Sequence, residues 1–246
     1  MALLSVNVNK VATLRNTRAL DVPSVVRCAT TCLESGARGI TIHPRPDERH
    51  IRPRDVDELA ALLRRYPNAE FNIEGNPYDE KWMNHIRRVR PTQCTLVPDA
   101  PEQSTSDHGW PLAEHADRLR PLIAEMNALG CRVSLFMDHD SADWPTARAI
   151  GAARVELYTE PYARHFAAGD LDFVSHFAVA ARRAADAGLK VNAGHDLSLE
   201  NLPHFIEHVR PVAEVSIGHA LIADALELGL TETVRRYIIA AEGMTE

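Results

Sequence analysis

The chain has 246 residues, 45% hydrophobic and 25% charged, which is the composition of an ordinary globular protein. A formal charge of −7 and a pI near 5.9 exclude a general nucleic-acid or anionic-membrane binder. An anionic substrate therefore needs a local cluster of arginines and backbone N–H groups.

Eight apolar, strand-like runs follow in chain order: Leu3–Val8, Gly39–His43, Ala69–Glu74, Gln93–Pro98, Cys131–Met137, Ala153–Tyr158, Lys190–Ala193 and Glu214–Ile217. Helical periodicity fills most gaps, at Asp55–Arg65, from Leu112 to Met126, at Leu171–Ala187 and at Leu199–Val209; Pro121 is expected to start or bend its helix. Gly36, Gly130, Gly151 and Gly188 each close a helix-like stretch just before an apolar run. A glycine there takes the left-handed conformation and returns the chain to the sheet, so the strands are parallel.

The fold class expected is α/β, a single-domain (β/α)8 TIM barrel with extra short helices over residues 1–246; an open doubly wound sheet is the alternative. The polar connection from Asp99 to Trp110 reads as a lid or clamp. Cys28, Cys32, Cys94 and Cys131 make neither a disulfide framework nor a CxxC pair, which points to structural thiols and a cytoplasmic location. Met1–Lys10 holds no long apolar stretch and no run reaches membrane-spanning length, so no membrane partner is expected.

Five of the apolar runs end in, or lead into, a residue that moves protons: His43, Glu74, Glu156, His195 and His219. Parallel strands would gather these at the carboxyl-end face, where α/β proteins place their chemistry. A carboxylate in a barrel mouth is costly unless paired or used, and burial raises its pKa toward neutrality. His43 leads into a basic stretch with Arg45, Arg49, His50, Arg52 and Arg54, whose guanidinium forks suit phosphate oxygens. Gly194-His195 and Gly218-His219 follow the last two strands, the usual barrel phosphate position. His85, His108, His115, His139, His165, His176, His204 and His208 read as surface or packing residues, and Trp82, Trp110 and Trp144 as cover or core.

Four stretches, Asn7–Asn16, Ile42–Ile51, Val191–His195 and Ile217–His219, together resemble the pyridoxine 5′-phosphate synthase family, the ring-closing enzymes of vitamin B6 biosynthesis. The resemblance runs over essentially the whole chain. It implies a (β/α)8 barrel that assembles as a homo-octamer and needs no metal or other cofactor. It implies two small phosphorylated substrates, 3-amino-1-hydroxyacetone 1-phosphate and 1-deoxy-D-xylulose 5-phosphate, which condense to pyridoxine 5′-phosphate, phosphate and water. By the same resemblance His43 and Glu74 are proton acceptors, His195 is a proton donor and Glu156 stabilises a transition state. Asn7, Arg18, the backbone at Asp196, Gly218 and His219 hold the amino-ketone phosphate, while Arg45, His50 and Thr105 hold the deoxyxylulose phosphate.

The chain departs from that pattern at Asn9-Lys10, where many members carry Asp-His that helps bind the deoxyxylulose phosphate, and at Asp196, where glycine is familiar. Pro44 stiffens the loop after His43. Two other classes are weighed. A metal-dependent barrel isomerase or hydrolase would use the same His and Glu set as ligands, without an HExxH-type spacing to support it. A non-catalytic phosphometabolite binder would have no need to keep five proton-transfer residues together.

Overall fold

The computed structural model describes residues 1–100, 103 and 105–243. Eight parallel strands close into one barrel in the order β1 to β8, with β1 (Leu3–Asn7) hydrogen-bonded to both β2 (Gly39–Ile42) and β8 (Glu214–Ile217). Between them run β3 (Glu70–Gly75), β4 (Gln93–Leu96), β5 (Arg132–Met137), β6 (Arg154–Tyr158) and β7 (Lys190–Gly194). All eight expected strands are present, and the closed ring removes the open-sheet alternative.

The helices are α1 (Asn9–Asn16), α2 (Val25–Glu34), α3 (Pro53–Leu63), α4 (Glu80–Val89), α5 (Leu112–Ala128), α6 (Trp144–Ala149), α7 (Glu160–Ala167), α8 (Val174–Asp186), α9 (Leu202–His208), α10 (His219–Leu228) and α11 (Leu230–Glu242). Most β-to-β crossings carry one helix, while β1–β2 and β6–β7 carry two and a pair follows β8. The four glycine joints hold φ of +107°, +84°, +103° and +82° at Gly36, Gly130, Gly151 and Gly188, the left-handed turn that their position demands.

Three helix boundaries differ from the periodicity. Pro121 does not start α5: it stands exposed inside the helix, where the missing N–H is least costly. The segment from Leu171 opens with a 3-10 turn, Leu171–Phe173, before α8 begins. The segment from Leu199 becomes helical only at Leu202, where Asn201 precedes α9 and its side chain is spent on the loop before it, accepting from the Ser198 N–H.

Strand residues alternate between two environments. Leu4, Val6, Ile40, Ile42, Ile73 and Leu135 point outward beneath the helices, each at most 2% exposed. Burying each such side chain stabilises the fold by about 1.5–3 kcal/mol. The inward residues are mostly polar instead, with Phe136 an exception. At the amino-terminal end Glu214 accepts from Arg154 at 3.3 Å, and Arg132 forks onto Glu70 and Gln93. In the middle Ser5, Thr41, Asn72 and Thr95 form a hydrogen-bonded chain at 2.7–3.4 Å. The upper layer holds the residues that the sequence marks for chemistry.

Candidate active site

At the carboxyl-end face the strands enclose a cavity of about 510 Å³. It is lined by Asn7, Asn9, Lys10, His43, Arg45 and His50 on one side and by Glu156, His195, Asp196, Gly218 and His219 on the other, with Glu74 and Thr105 between. Every expected site residue except Arg18 is therefore in one place. Arg18 lies beyond the end of α1, exposed, and does not line the cavity. A larger groove, about 680 Å³, lies at the opposite end around Arg38, Tyr66 and Arg235 and contains none of the proton-transfer residues.

Local structure fixes each side chain. His43 follows the last residue of β2, and its backbone N–H donates to Asn9 Oδ1 at 3.0 Å, tying the strand end to the start of α1. Asn9 is therefore a structural clamp as well as a wall residue. Glu74 is aimed inward by β3, and its carbonyl accepts the Trp82 indole N–H at 2.8 Å. Glu156 stands in the middle of β6 rather than at its end, so it sits deeper than the sequence suggested. Gly194 makes that possible, since a Cβ there would stand 2.7 Å from Glu156 Oε1 and 2.9 Å from the Ser216 carbonyl.

His195 and Asp196 both adopt left-handed backbone, φ +81° and +57°, which costs non-glycine residues energy. The turn is held in place by Thr159 Oγ1, which donates to the Gly194 and His195 carbonyls, and by Asn201 Nδ2, which donates to the Asp196 carbonyl at 3.0 Å. The His195 ring packs against Phe136 and Tyr158 at centroid distances of 5.6 and 5.4 Å.

Burial dominates the electrostatics. It pushes Glu74 up to about 8, helped by the nearby Asp99 charge and opposed by Arg45. Glu156 is pushed well above the ordinary carboxylate range by burial and then by Glu74 and Glu214; its Oε2 is buried and has no hydrogen-bond partner among the described residues. Burial, reinforced by Arg45 and His50, holds His43 well below the usual imidazole value, so it is neutral at pH 7. Burial also lowers His195, while Asp196, Asp99 and Glu160 pull the other way. His43 Nδ1 lies 3.8 Å from Glu74 Oε2 and its Nε2 lies 3.9 Å from Asp99 Oδ2. Neutral imidazole, protonated carboxyl and near-neutral carboxyl side by side can accept and return protons without a free charge crossing the cavity.

Two edges suit anions. On one, His50 Nδ1 accepts the Ile51 N–H at 2.9 Å, which leaves its proton on Nε2 as a donor, and Arg45, Lys10 and Thr105 stand nearby along the same wall. On the other, Gly218, His219 and Ala220 open α10, whose first-turn N–H groups have no partner within the helix.

Sequence reasoning missed Asp99, Ser106, Tyr158 and Glu160. Tyr158 ends an expected strand and Asp99 opens an expected loop, yet Tyr158 lines the cavity and Asp99 is 6% exposed and ion-paired to Arg45. The loop's expected role as a lid falls partly on residues 101, 102 and 104, outside the described residues. All four cysteines are free thiols. Among the described residues no helix is long and apolar enough to cross a membrane, and no three His, Cys, Asp or Glu side chains are grouped for a metal ion.

Structural comparison supports the architecture alone. Phosphoribosyl anthranilate isomerase from Thermotoga maritima superposes with a TM-score of 0.61 at 17% identity, covering 99% of this chain and 100% of that one. Tryptophan synthase from M. tuberculosis gives 0.63 at 13% identity, covering 100% and 92%. Sequence comparison reaches further. Proteins named pyridoxine 5′-phosphate synthase are 57% identical in Albidiferax ferrireducens, 53% in Xylella fastidiosa and 51% in Brucella abortus. These alignments cover 96%, 96% and 98% of this chain and 95%, 93% and 99% of the relatives. The family model described as "Pyridoxal phosphate biosynthesis protein PdxJ" matches residues 4–242, and with relatives this similar along the whole length, the chain belongs to the pyridoxine 5′-phosphate synthase family.

Proposed function

We propose that this protein is a pyridoxine 5′-phosphate synthase, joining 3-amino-1-hydroxyacetone 1-phosphate to 1-deoxy-D-xylulose 5-phosphate with release of phosphate and water. The observation that carries the reading is one cavity holding His43, Glu74, Glu156 and His195 between two anion-suited edges. Imine formation, phosphate loss and ring closure each move protons, so several acids and bases must face one substrate pair. Neutral His43 accepts a proton, as does Glu74, whose raised pKa of about 8 makes it a strong enough base near neutrality. Protonated Glu156 donates a hydrogen bond to oxygen as charge develops in the transition state. His195 donates; burial lowers its proton affinity, which makes its imidazolium the stronger acid, while Asp196 and Asp99 pull the other way.

The deoxyxylulose phosphate lies against Arg45, His50 and Thr105, and the amino-ketone phosphate against Asn7, Gly218, His219 and the Asp196 backbone. Asn9 supports the first subsite through its bond to the His43 N–H, a role its amide oxygen fills as well as a carboxylate. Lys10 sets a full positive charge beside His50 where many members carry an imidazole. Arg18, exposed outside the cavity, belongs to the phosphate set by resemblance only.

Family resemblance also supports a homo-octamer, one barrel domain over residues 1–246 and a cytoplasmic location; light scattering of the purified protein tests the octamer. The activity is tested by mixing the protein with both substrates and following pyridoxine 5′-phosphate by absorbance and mass. Product that vanishes in His195→Ala is the expected result. Phosphate release no greater than that of His43→Ala would reject the reading.

A further inference from the structure

Asp99 follows β4 at the rim of the barrel, and its side chain is 4% exposed. Its Oδ2 accepts from Arg45 Nη2 at 2.5 Å and from Ser106 Oγ at 2.7 Å, and it stands 3.9 Å from His43 Nε2. The Asp99 carbonyl accepts from Asn76 Nδ2 at 3.0 Å, which anchors the backbone beside the end of β3. Arg45, so fixed, also donates to the Gln103 carbonyl at 3.1 Å. One buried carboxylate thus ties together the segment after β4, a guanidinium on the phosphate-facing wall and a proton-transfer imidazole. Its second oxygen, Oδ1, is buried and accepts no hydrogen bond from the described residues. A purely structural carboxylate in such a place is ordinarily bonded at both oxygens.

We infer that Asp99 is a positioning residue for the reaction, holding Arg45 and the Ser106 segment around one buried carboxylate whose charge faces Glu74 across His43. The inference rests on the synthase reading. The consequence of the placement is electrostatic. Among the described residues six groups influence or border Glu74: His43 and Asn7 in contact, Arg45, Asp99 and Glu214 by charge, and Trp82 through its carbonyl; Glu156 nearby is itself raised by the Glu74 charge. After burial, the Asp99 charge is the largest influence raising Glu74 toward 8, and Arg45 only partly offsets it. Asp99 therefore makes Glu74 a stronger base than burial alone does. Arg45, neutralised by Asp99 on one nitrogen, does not hold Glu74 permanently ionised.

The test is the pH dependence of kcat with both substrates saturating, in the parent and in Asp99→Asn. The acidic limb, set by deprotonation of Glu74, is expected to move to lower pH by about one unit, a tenfold change in proton affinity. Asp99→Glu, which keeps the charge, should leave the limb in place, as should Ser106→Ala. A limb unmoved in Asp99→Asn, with kcat lowered or not, overturns the inference, because a packing role alone cannot shift it. If Asp99→Asn fails to fold, Asp99→Ser takes its place under the same two outcomes. A parent protein that makes no product at all refutes the synthase reading instead, and the two failures are thereby distinct. In that event the Glu74 carboxyl 13C shift, followed against pH in parent and Asp99→Asn, still decides whether Asp99 sets that proton affinity.

Discussion

The two ends of the barrel interior are built from the same kinds of residue and behave in opposite ways. At the amino-terminal end two carboxylates, Glu70 and Glu214, face two guanidiniums, Arg132 and Arg154. Burial there works to raise Glu70, but the Arg132 fork and the Arg154 charge outweigh it and hold Glu70 below the ordinary carboxylate range. At the carboxyl end Glu74 feels the Arg45 guanidinium, which Asp99 already engages, and no guanidinium of the described residues is among the influences on Glu156. Both are pushed up. Glu214, deepest in the paired set, is intermediate: burial takes it up to about 7 although Arg154 pulls it back. Charge balance and depth together separate a carboxylate that holds the barrel together from one poised to exchange a proton.

The sharpest way to break that contrast is to unbalance the paired end. Arg154→Ala leaves Glu214 buried among Gln93, Asn192 and the second carboxylate, Glu70, without its nearest guanidinium. It should destabilise the protein by about 3–5 kcal/mol, the usual result of stranding one partner of a buried pair. Chemical denaturation reads this directly, and a loss below about 1 kcal/mol would show that the pairing does not matter.

At the unpaired end, Glu74→Gln should cost at least roughly 100-fold in turnover while leaving the fold intact. Its stability should also depend differently on pH. Between 4.5 and about 8 the folded parent keeps a proton that the unfolded chain has released. The contribution of Glu74 is therefore fully present below 4.5 and is lost as pH rises through about 8. Relative to the parent, the melting temperature of Glu74→Gln should climb across that window. A constant difference between the two melting curves would mean that Glu74 titrates as an ordinary carboxylate.

The smallest expected effect concerns the turn that carries His195. Asp196→Gly removes a side chain from a left-handed position, φ +57°, and should stabilise the fold by less than about 1 kcal/mol after the added freedom of the unfolded glycine is counted. A fall in melting temperature instead would show that the Asp196 side chain helps to hold the turn.

The eight strands were legible because their outward faces are β-branched and apolar and their ends are punctuated by glycine, both local signals. Helix starts at Leu171 and Leu199 were read too early, because a 3-10 turn and an Asn201-centred loop carry similar apolar spacing. The proton-transfer set was legible for a related reason: strand ends in a parallel barrel must converge. What escaped were roles that depend on partners distant in sequence. Asp99 meets Arg45 across 54 positions, and nothing near it in the chain announces the pairing. Tyr158 and Phe136 fall within expected strands and are buried together, yet they also grip His195. Arg18 shows the opposite limit, since a motif can carry a residue to a site that the folded chain does not bring it into.

Gly194 carries no reactive atom, yet any side chain there would collide with Glu156 Oε1 at 2.7 Å and with the Ser216 carbonyl at 2.9 Å. Under mutation and selection such a position tolerates nothing else, so a saturation library scored for growth would rank it beside His43 and Glu74. Intolerance at 194 reports the space a neighbouring acid occupies, and maps of mutational sensitivity on this barrel outline the shape of the reaction centre as much as its chemistry.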